Sequence, residues 1–325
     1  MNPLHRIQPR VVCVALNPAL DHTIEVKQLC AGTVNRALRM QVNAGGKGIN
    51  VASCLSDFGI RSGVTGQIGR ENADRFEALF SAKGIANRCI YLEGLTRINT
   101  KIVDLASGQT TEVNMPGPQL SADAIRALIE RLLACLEGMV RPGSWVVFSG
   151  SLPPQWPVDT YRRLIAHVRQ LGAQTLLDAS GAALTAGVGA APDIIKPNRE
   201  ELAEMLGRPL DDIRSVIAAA RELLARPDAP GTVIVSLGGE GALFVDRQEA
   251  LLAHPVPTAL TSTVGAGDAM VAGIVAAQIA GMPLADCARL ATAFSAGKLK
   301  QVGPHLPAPD TVRALALTVR ISSLS

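Results

Sequence analysis

Aromatic residues are scarce, at 3% of the 325 residues, so the chain lacks the stacking platforms that single-stranded nucleic acid uses. Charge of one sign is lacking too. Against 31 Lys+Arg stand 28 Asp+Glu, a net charge of +3, which leaves no basic stripe for a nucleic acid backbone. The six cysteines include no CxxC pair, the five histidines no HExxH, and no carboxylates cluster, which excludes a transition-metal site and a protein cage for a divalent ion. No apolar run reaches membrane-spanning length; residues 269–282 are too few and contain Gln278. Residues 1–10 are polar and irregular, without the apolar core of a signal peptide, so the expected compartment is the cytoplasm. Two nucleotide fingerprints are also missing. Gly265-x-Gly267 is followed by Met270 where a dinucleotide motif needs a third glycine, and Lys47 is followed by Gly48 where a P-loop needs Ser or Thr.

What is present is a large apolar reserve, 48% of the residues, arranged in alternating strand and helix patterns. Strands are predicted at 11–16, 63–68, 86–92, 145–149, 174–178, 193–195, 233–237, 242–245 and 250–255. Helices are predicted at 51–58, 72–83, 122–136, 159–170, 182–186, 269–282, 284–300 and 310–319. Repeated β-α alternation predicts an α/β fold, a doubly wound and mostly parallel sheet with helices on both faces. Residues 22–43 and 97–114 instead alternate apolar and polar side chains, which predicts antiparallel strands forming a small separate sheet. No linker or repeat divides the chain, so residues 1–325 are expected to form one domain with that sheet inserted.

Two glycine-rich stretches lead into helices. At Gly265-Ala266-Gly267-Asp268, small residues leave room for a visitor, and successive N–H groups backed by the helix dipole suit an anion such as phosphate. Asp268 falls in the first turn, where a carboxylate also serves simply to complement the dipole. At Asn43-Ala44-Gly45-Gly46-Lys47-Gly48-Ile49-Asn50, a lysine pinned between glycines can meet an anionic group or lie solvated on a turn. Asp21 sits just past the first strand, at the carboxyl edge where open α/β sheets bind ligands, and is a sugar-hydroxyl acceptor or a turn former. Within 96–103 a period of two puts Arg97, Asn99 and Lys101 on one face and Ile98 and Ile102 on the other. Two cations on one face suit a phosphate, or water. Asn198 and Glu201 have the spacing of a capping box. Gly238-Gly239-Glu240-Gly241 reads as a hairpin turn.

These pieces, in this order, resemble the ribokinase-like (PfkB) carbohydrate kinases along essentially the whole chain. The residues 44–52 look like the family's N-terminal glycine signature, and Ser262-Thr263-Val264-Gly265-Ala266-Gly267-Asp268 like its C-terminal one. Asn17-Pro18-Ala19-Leu20-Asp21, Gly84-Ile85-Ala86-Asn87-Arg88 and Thr96-Arg97-Ile98-Asn99 look like the branch that acts on phosphorylated ketohexoses. The resemblance implies ATP-dependent phosphorylation, with fructose 1-phosphate first and tagatose 6-phosphate second as acceptor, and ATP with Mg²⁺ as cofactors. It implies Asp268 as general base and Gly265, Ala266 and Gly267 as anion hole. It implies that Asp21, Gly45, Gly46, Lys47, Asn50 and Asn99 hold the sugar, with Arg97, Lys101 and Lys47 on its phosphate. Asn198 and Glu201 look like the motif governing Mg²⁺ and phosphate. Lys196 beside them, and Ser236, Gly238, Gly239 and Gly241, look like the ATP side. The small sheet would be a lid, and a homodimer contact. Gly45 departs from relatives that carry Ala, a change expected to leave the chemistry undisturbed. A non-catalytic sugar-phosphate sensor on the same fold is the rival, against which the presence of Asp268 argues.

Overall fold

The computed structural model describes residues 8–257, 265–301 and 303–324. Ser262, Thr263 and Val264 of the second glycine signature lie outside the described residues. β1 (Val11–Ala15), β2 (Ala19–Val26) and β3 (Ala37–Gly45) lead into α1 (Lys47–Asp57), β4 (Ser62–Gly69), α2 (Asp74–Lys83), β5 (Ala86–Leu92), β6 (Ile98–Asp104) and β7 (Thr110–Val113). Next come α3 (Ala122–Met139), β8 (Trp145–Ser149), α4 (Thr160–Gln170), β9 (Gln174–Asp178), α5 (Gly181–Val188), β10 (Ile194–Ile195), α6 (Arg199–Leu206), α7 (Ile213–Leu224) and β11 (Thr232–Ser236). β12 (Ala242–Val245), β13 (Ala250–Ala253), α8 (Ala266–Ile279), α9 (Leu284–Lys298), α10 (Pro309–Thr318) and β14 (Ile321–Ser323) follow.

One large sheet runs β14-β13-β12-β11-β10-β9-β8-β1-β4-β5, parallel from β11 to β5 and antiparallel from β11 to β14. A central parallel strand is covered on both faces, and so reads as continuously apolar. In β1, Val11, Cys13 and Ala15 enter the core shared with α1, α2, α8, α9 and α10, while Val12 and Val14 enter the core shared with α3, α4, α5, α6 and α7. Because all the parallel strands point the same way, the ends of β1, β8, β9 and β10 open at one edge. The starts of α1 and α8 reach that same edge.

The second sheet runs β3-β2-β6-β7. Its hairpins β2-β3 and β6-β7 are antiparallel as predicted, but the two hairpins join through a parallel β2-β6 pairing. Further differences come from local caps and pairing. The first helix begins at Lys47, not at 51, and α8 at Ala266, not at 269, because Gly46 and Gly265 adopt positive φ of 104° and 79° and start their helices at once. Asp21 lies inside β2 rather than in a loop, since the chain turns into the small sheet directly after Pro18. α7, absent from the predicted elements, is nucleated by a capping box of Asp212 and Ser215 and buries Val216, Ile217, Ala220 and Leu223. β14 is three residues on an edge and has no strand pattern of its own.

Candidate active site

Two glycine-led helix starts meet at the sheet edge. A Cβ at Gly46 would lie 2.7 Å from Cα of Pro18, and one at Gly48 would lie 2.7 Å from the Val14 carbonyl oxygen, so glycine alone lets α1 seat directly on β1 and the turn after it. That close approach carries Asn50 to α8, where its Nδ2 donates to Asp268 Oδ2 at 2.7 Å. Asp268 is 6% exposed. Burial, and next the negative field of Asp178, push its carboxyl up from 3.8 to about 6, against the opposing pull of Lys47, the Asn50 bond and Lys196.

Asp178 is the second buried carboxylate. It ends β9 at 1% exposure and holds three elements together. Lys196 Nζ stands 2.9 Å from Oδ1, Lys47 Nζ 3.5 Å from Oδ2, and Ser149 Oγ donates to Oδ2 at 3.0 Å. Burial alone would raise this carboxyl, but Lys196 and Lys47 outweigh it and hold Asp178 below its ordinary value; Asp178 in turn raises Lys47. Neither Asp178 nor Ser149 was picked out from sequence. Asp178 had the same signal as Asp21, a carboxylate ending an apolar strand at the carboxyl edge.

On the small sheet, Asp21, Asn99 and Lys101 come together: Asn99 Nδ2 donates to Asp21 Oδ1 and Lys101 Nζ to Oδ2, both at 3.2 Å. Gly45 gives the Asp21 carboxylate room. A Cβ on it would stand 2.6 Å from Asp21 Oδ2, so alanine would force this carboxylate to turn. Arg97 and Lys101 do not converge on one point, because Arg97 precedes β6 and its guanidinium reaches the other way, donating to the carbonyls of Pro18, Met115 and Asn17 at 3.2, 2.6 and 3.0 Å. Two cavities therefore flank the start of α1. One of about 310 Å³ is walled by Asp21, Asn43, Asn50, Lys101, Gly265 and Lys298. The other, of about 150 Å³, is walled by Asn17, Lys47, Arg97, Gly150, Ser151 and Ser180, a set rich in cations and donors. Ser151, Asn17 and Lys298 were also missed; the first two lie on loops at the sheet edge, and Lys298 is the last residue of a largely apolar helix.

The candidates for the nucleotide gather on the far side of Asp178. Asn198 pairs with Ser236 as an isolated parallel bridge, and Ser236 N donates to the Pro197 carbonyl at 3.0 Å. Gly238–Glu240 form a 3₁₀ turn, tied to α6 by Arg199 and Glu240 at 2.8 Å. The capping box is fully made: Glu201 N donates to Asn198 Oδ1 at 2.7 Å and Asn198 N to Glu201 Oε2 at 2.8 Å, leaving Asn198 Nδ2 and Glu201 Oε1 outside it.

Sequence comparison matches residues 10–311 to the pfkB family carbohydrate kinases. The 1-phosphofructokinase of Rhodobacter capsulatus is 46% identical over 97% of this chain and 98% of its own length. That of Xanthomonas campestris is 43% identical over 97% and 99%. Among solved structures, phosphofructokinase-2 from Escherichia coli in complex with fructose-6-phosphate superposes with a TM-score of 0.85, at 27% identity, over 95% of this chain and 98% of that one. A possible 1-phosphofructokinase from Thermotoga maritima gives 0.85 at 26% identity, over 97% and 99%.

The raised carboxyl of Asp268 has a consequence for stability. Its pKa is higher in the fold than its ordinary 3.8, so the fold binds the proton more tightly, and stability falls as pH rises from about 4 through about 6. Asp268→Asn removes the charge and keeps the shape. Thermal melts are expected to show the variant more stable than the parent near pH 8, with the difference shrinking towards pH 4; an offset that is the same at every pH would count against this.

Proposed function

The chain belongs to the pfkB family of carbohydrate kinases, and we infer that it transfers the γ-phosphoryl group of ATP to fructose 1-phosphate, giving fructose 1,6-bisphosphate and ADP. The observation that carries the chemistry is a buried carboxyl, Asp268, set in the first turn of a helix with a glycine turn at its start and fixed by Asn50. We read residues 1–325 as one kinase domain with the small sheet as its lid, acting in the cytoplasm.

In this reading Asp268 takes the proton of the sugar's free primary hydroxyl, whose oxygen forms the new bond to phosphorus as the bond to the β,γ-bridging oxygen breaks and ADP leaves with the electron pair. A base with a pKa of about 6 is ionised at neutral pH yet close enough to it to hold a proton in the transition state. The N–H groups of Gly265, Ala266 and Gly267 face the phosphoryl group in transit. Asp21, oriented by Asn99 and Lys101, holds sugar hydroxyls with Asn50 and the backbone at Gly45 and Gly46. The phosphate already on the sugar takes the smaller, cationic cavity of Arg97, Lys47 and Ser151. Lys196 and the Ser236–Gly241 turn, with Gly238 and Gly239, meet the nucleotide. Mg²⁺ comes with the nucleotide, whose phosphate charge it neutralises. Among the described residues no group of three or more possible ligands could hold a metal ion, and Glu201 Oε1, free of the capping box, fits a water-mediated contact.

The small sheet also carries a reason for dimerisation. Asp21, Thr23, Arg39, Gln41, Lys101 and Glu112 face the larger cavity, and the period of two then turns Ile24, Leu38, Met40, Ile102 and Val113 to the other face. Leu38, Met40 and Val113 are more than half exposed there. We propose that a second copy covers this face. Sedimentation velocity is expected to give a dimer that Met40→Asp dissociates; a parent that sediments as a monomer ends the proposal.

Catalysis is tested by incubating the protein with ATP, Mg²⁺ and a panel of ketohexose monophosphates and following ADP. Fructose 1-phosphate is expected to turn over fastest, excess chelator to abolish turnover, and Asp268→Asn to lower kcat by roughly 10²- to 10⁴-fold. A tagatose 6-phosphate rate above that for fructose 1-phosphate would reassign the substrate, and parent-like turnover in Asp268→Asn would remove the base.

Arg97 separates phosphorylated from free sugar. One charge-assisted contact to phosphate corresponds to roughly ten- to a hundredfold in affinity, so Arg97→Ala is expected to raise KM for fructose 1-phosphate by that factor and leave KM for ATP nearly unchanged. Arg97→Lys recovers part, lacking the planar fork. If the preference for fructose 1-phosphate over free fructose survives Arg97→Ala, the guanidinium only clamps the three carbonyls it already meets.

A further inference from the structure

The mechanism above leaves one buried ammonium without a task. Lys298 ends α9 and is 3% exposed. Its stem packs on Gly265, with Cε 3.2 Å and Nζ 3.9 Å from where a Cβ on that glycine would lie. Among the described residues Nζ makes one hydrogen bond, to the Gln301 carbonyl at 3.1 Å, and no carboxylate comes within 4.0 Å. It also walls the larger cavity together with Asp21, Asn50 and Gly265.

Lys196 makes the comparison. Its Nζ stands 3.9 Å from the corresponding point on Gly267, so each glycine of the anion turn has a lysine ammonium beside it. The two charges differ in what else they serve. Lys196 is neutralised by Asp178 at 2.9 Å, whereas Lys298 has only a neutral carbonyl. Burying an ammonium with no carboxylate against it is unfavourable, and a turn of N–H groups beside it makes the missing counter-charge an anion brought from outside. Burial lowers the pKa of Lys298 and Lys101 adds to this, while Asp268 pulls the other way and favours the charged form.

Resting on the kinase reading, we propose that Lys298 is a further catalytic residue, whose ammonium meets the phosphoryl group in transit at the Gly265 end of the anion turn. It forms and breaks no covalent bond. It neutralises charge on the equatorial oxygens, which grows as the bond to ADP loosens.

Lys298→Met keeps the stem on Gly265 and deletes the charge. With the parent active in the assay above, kcat is expected to fall roughly ten- to a hundredfold, KM for both substrates to stay within about threefold, and Tm to hold or rise. Affinity for ADP with aluminium fluoride, which mimics the group in transit, should fall with kcat while affinity for ADP alone stays. In Lys298→Ala, added methylammonium should restore part of the rate and leave the parent unaffected. Should Lys298→Met not fold, Lys298→Gln is read by the same ratio of aluminium fluoride complex to ADP affinity. Parent-like kcat in a folded variant overturns the proposal, as does a loss of rate that tracks a loss of Tm and is not rescued by methylammonium. A parent that turns over no sugar phosphate would instead overturn the kinase reading.

Discussion

The site depends on one buried carboxylate. Asp178 joins the end of β9 to the residue after β10, the first turn of α1 and the end of β8 through Lys196, Lys47 and Ser149, elements far apart in the chain. Such pairs add little net stability, because desolvating the charges offsets their attraction; what they supply is geometry. Removing either lysine leaves Asp178 short of a counter-charge, and removing Lys47 also cuts the charge tie that draws α1 down on the sheet edge where Asn50 meets Asp268. The same carboxylate acts at a distance, since its field helps raise Asp268 toward the range a general base needs.

Steric constraint does for the glycines what charge does for Asp178. Gly46 and Gly48 let backbone pass backbone at distances no side chain permits, and Gly45 leaves the space into which Asp21 points. The residue expected to leave the chemistry undisturbed thus leaves room for a sugar-binding candidate. With Asn99 and Lys101 on either oxygen, Asp21 has its orientation fixed before any ligand arrives, which lowers the entropy cost of binding.

Most of the fold was legible in sequence. Strands 145–149, 174–178 and 242–245 were read to the residue, since apolar runs bounded by turn residues have one explanation when covered on both faces, and the edge strand 86–92 was read to the residue as well. The starts of α1 and α8 were read late, because positive φ at Gly46 and Gly265 leaves no mark beyond the glycine itself, whereas those of α3 and α9 were read to the residue. The site was legible where its residues are neighbours in sequence, as in 265–268 or 45–50. It was illegible where contact depends on topology: that Asn50 reaches Asp268 across 218 residues, or that Asp178 takes two lysines, is decided by which strands adjoin. Arg97 and Lys101 share a period but not a site, because Arg97 stands just before β6, where a long side chain is free to leave the strand face.

Sorting the cations by what they already serve shows how the site divides its work. Lys196 and Lys101 are tied to Asp178 and Asp21, and their charge is largely cancelled before any ligand enters. Lys47 is tied more loosely, at 3.5 Å and 41% exposed, and Arg97 meets only carbonyls, so both keep charge for an anion in the smaller cavity. Lys298, without a carboxylate among the described residues, keeps its charge at the glycine turn. Uncancelled positive charge therefore stands at two places on either side of the start of α1. A phosphorylated sugar undergoing a second phosphorylation presents two anionic groups, its own phosphate and the one arriving, at opposite ends of one molecule. Uncancelled cations at two positions suit that demand, whereas a substrate with one anionic end would leave one of the two positions charged and unanswered.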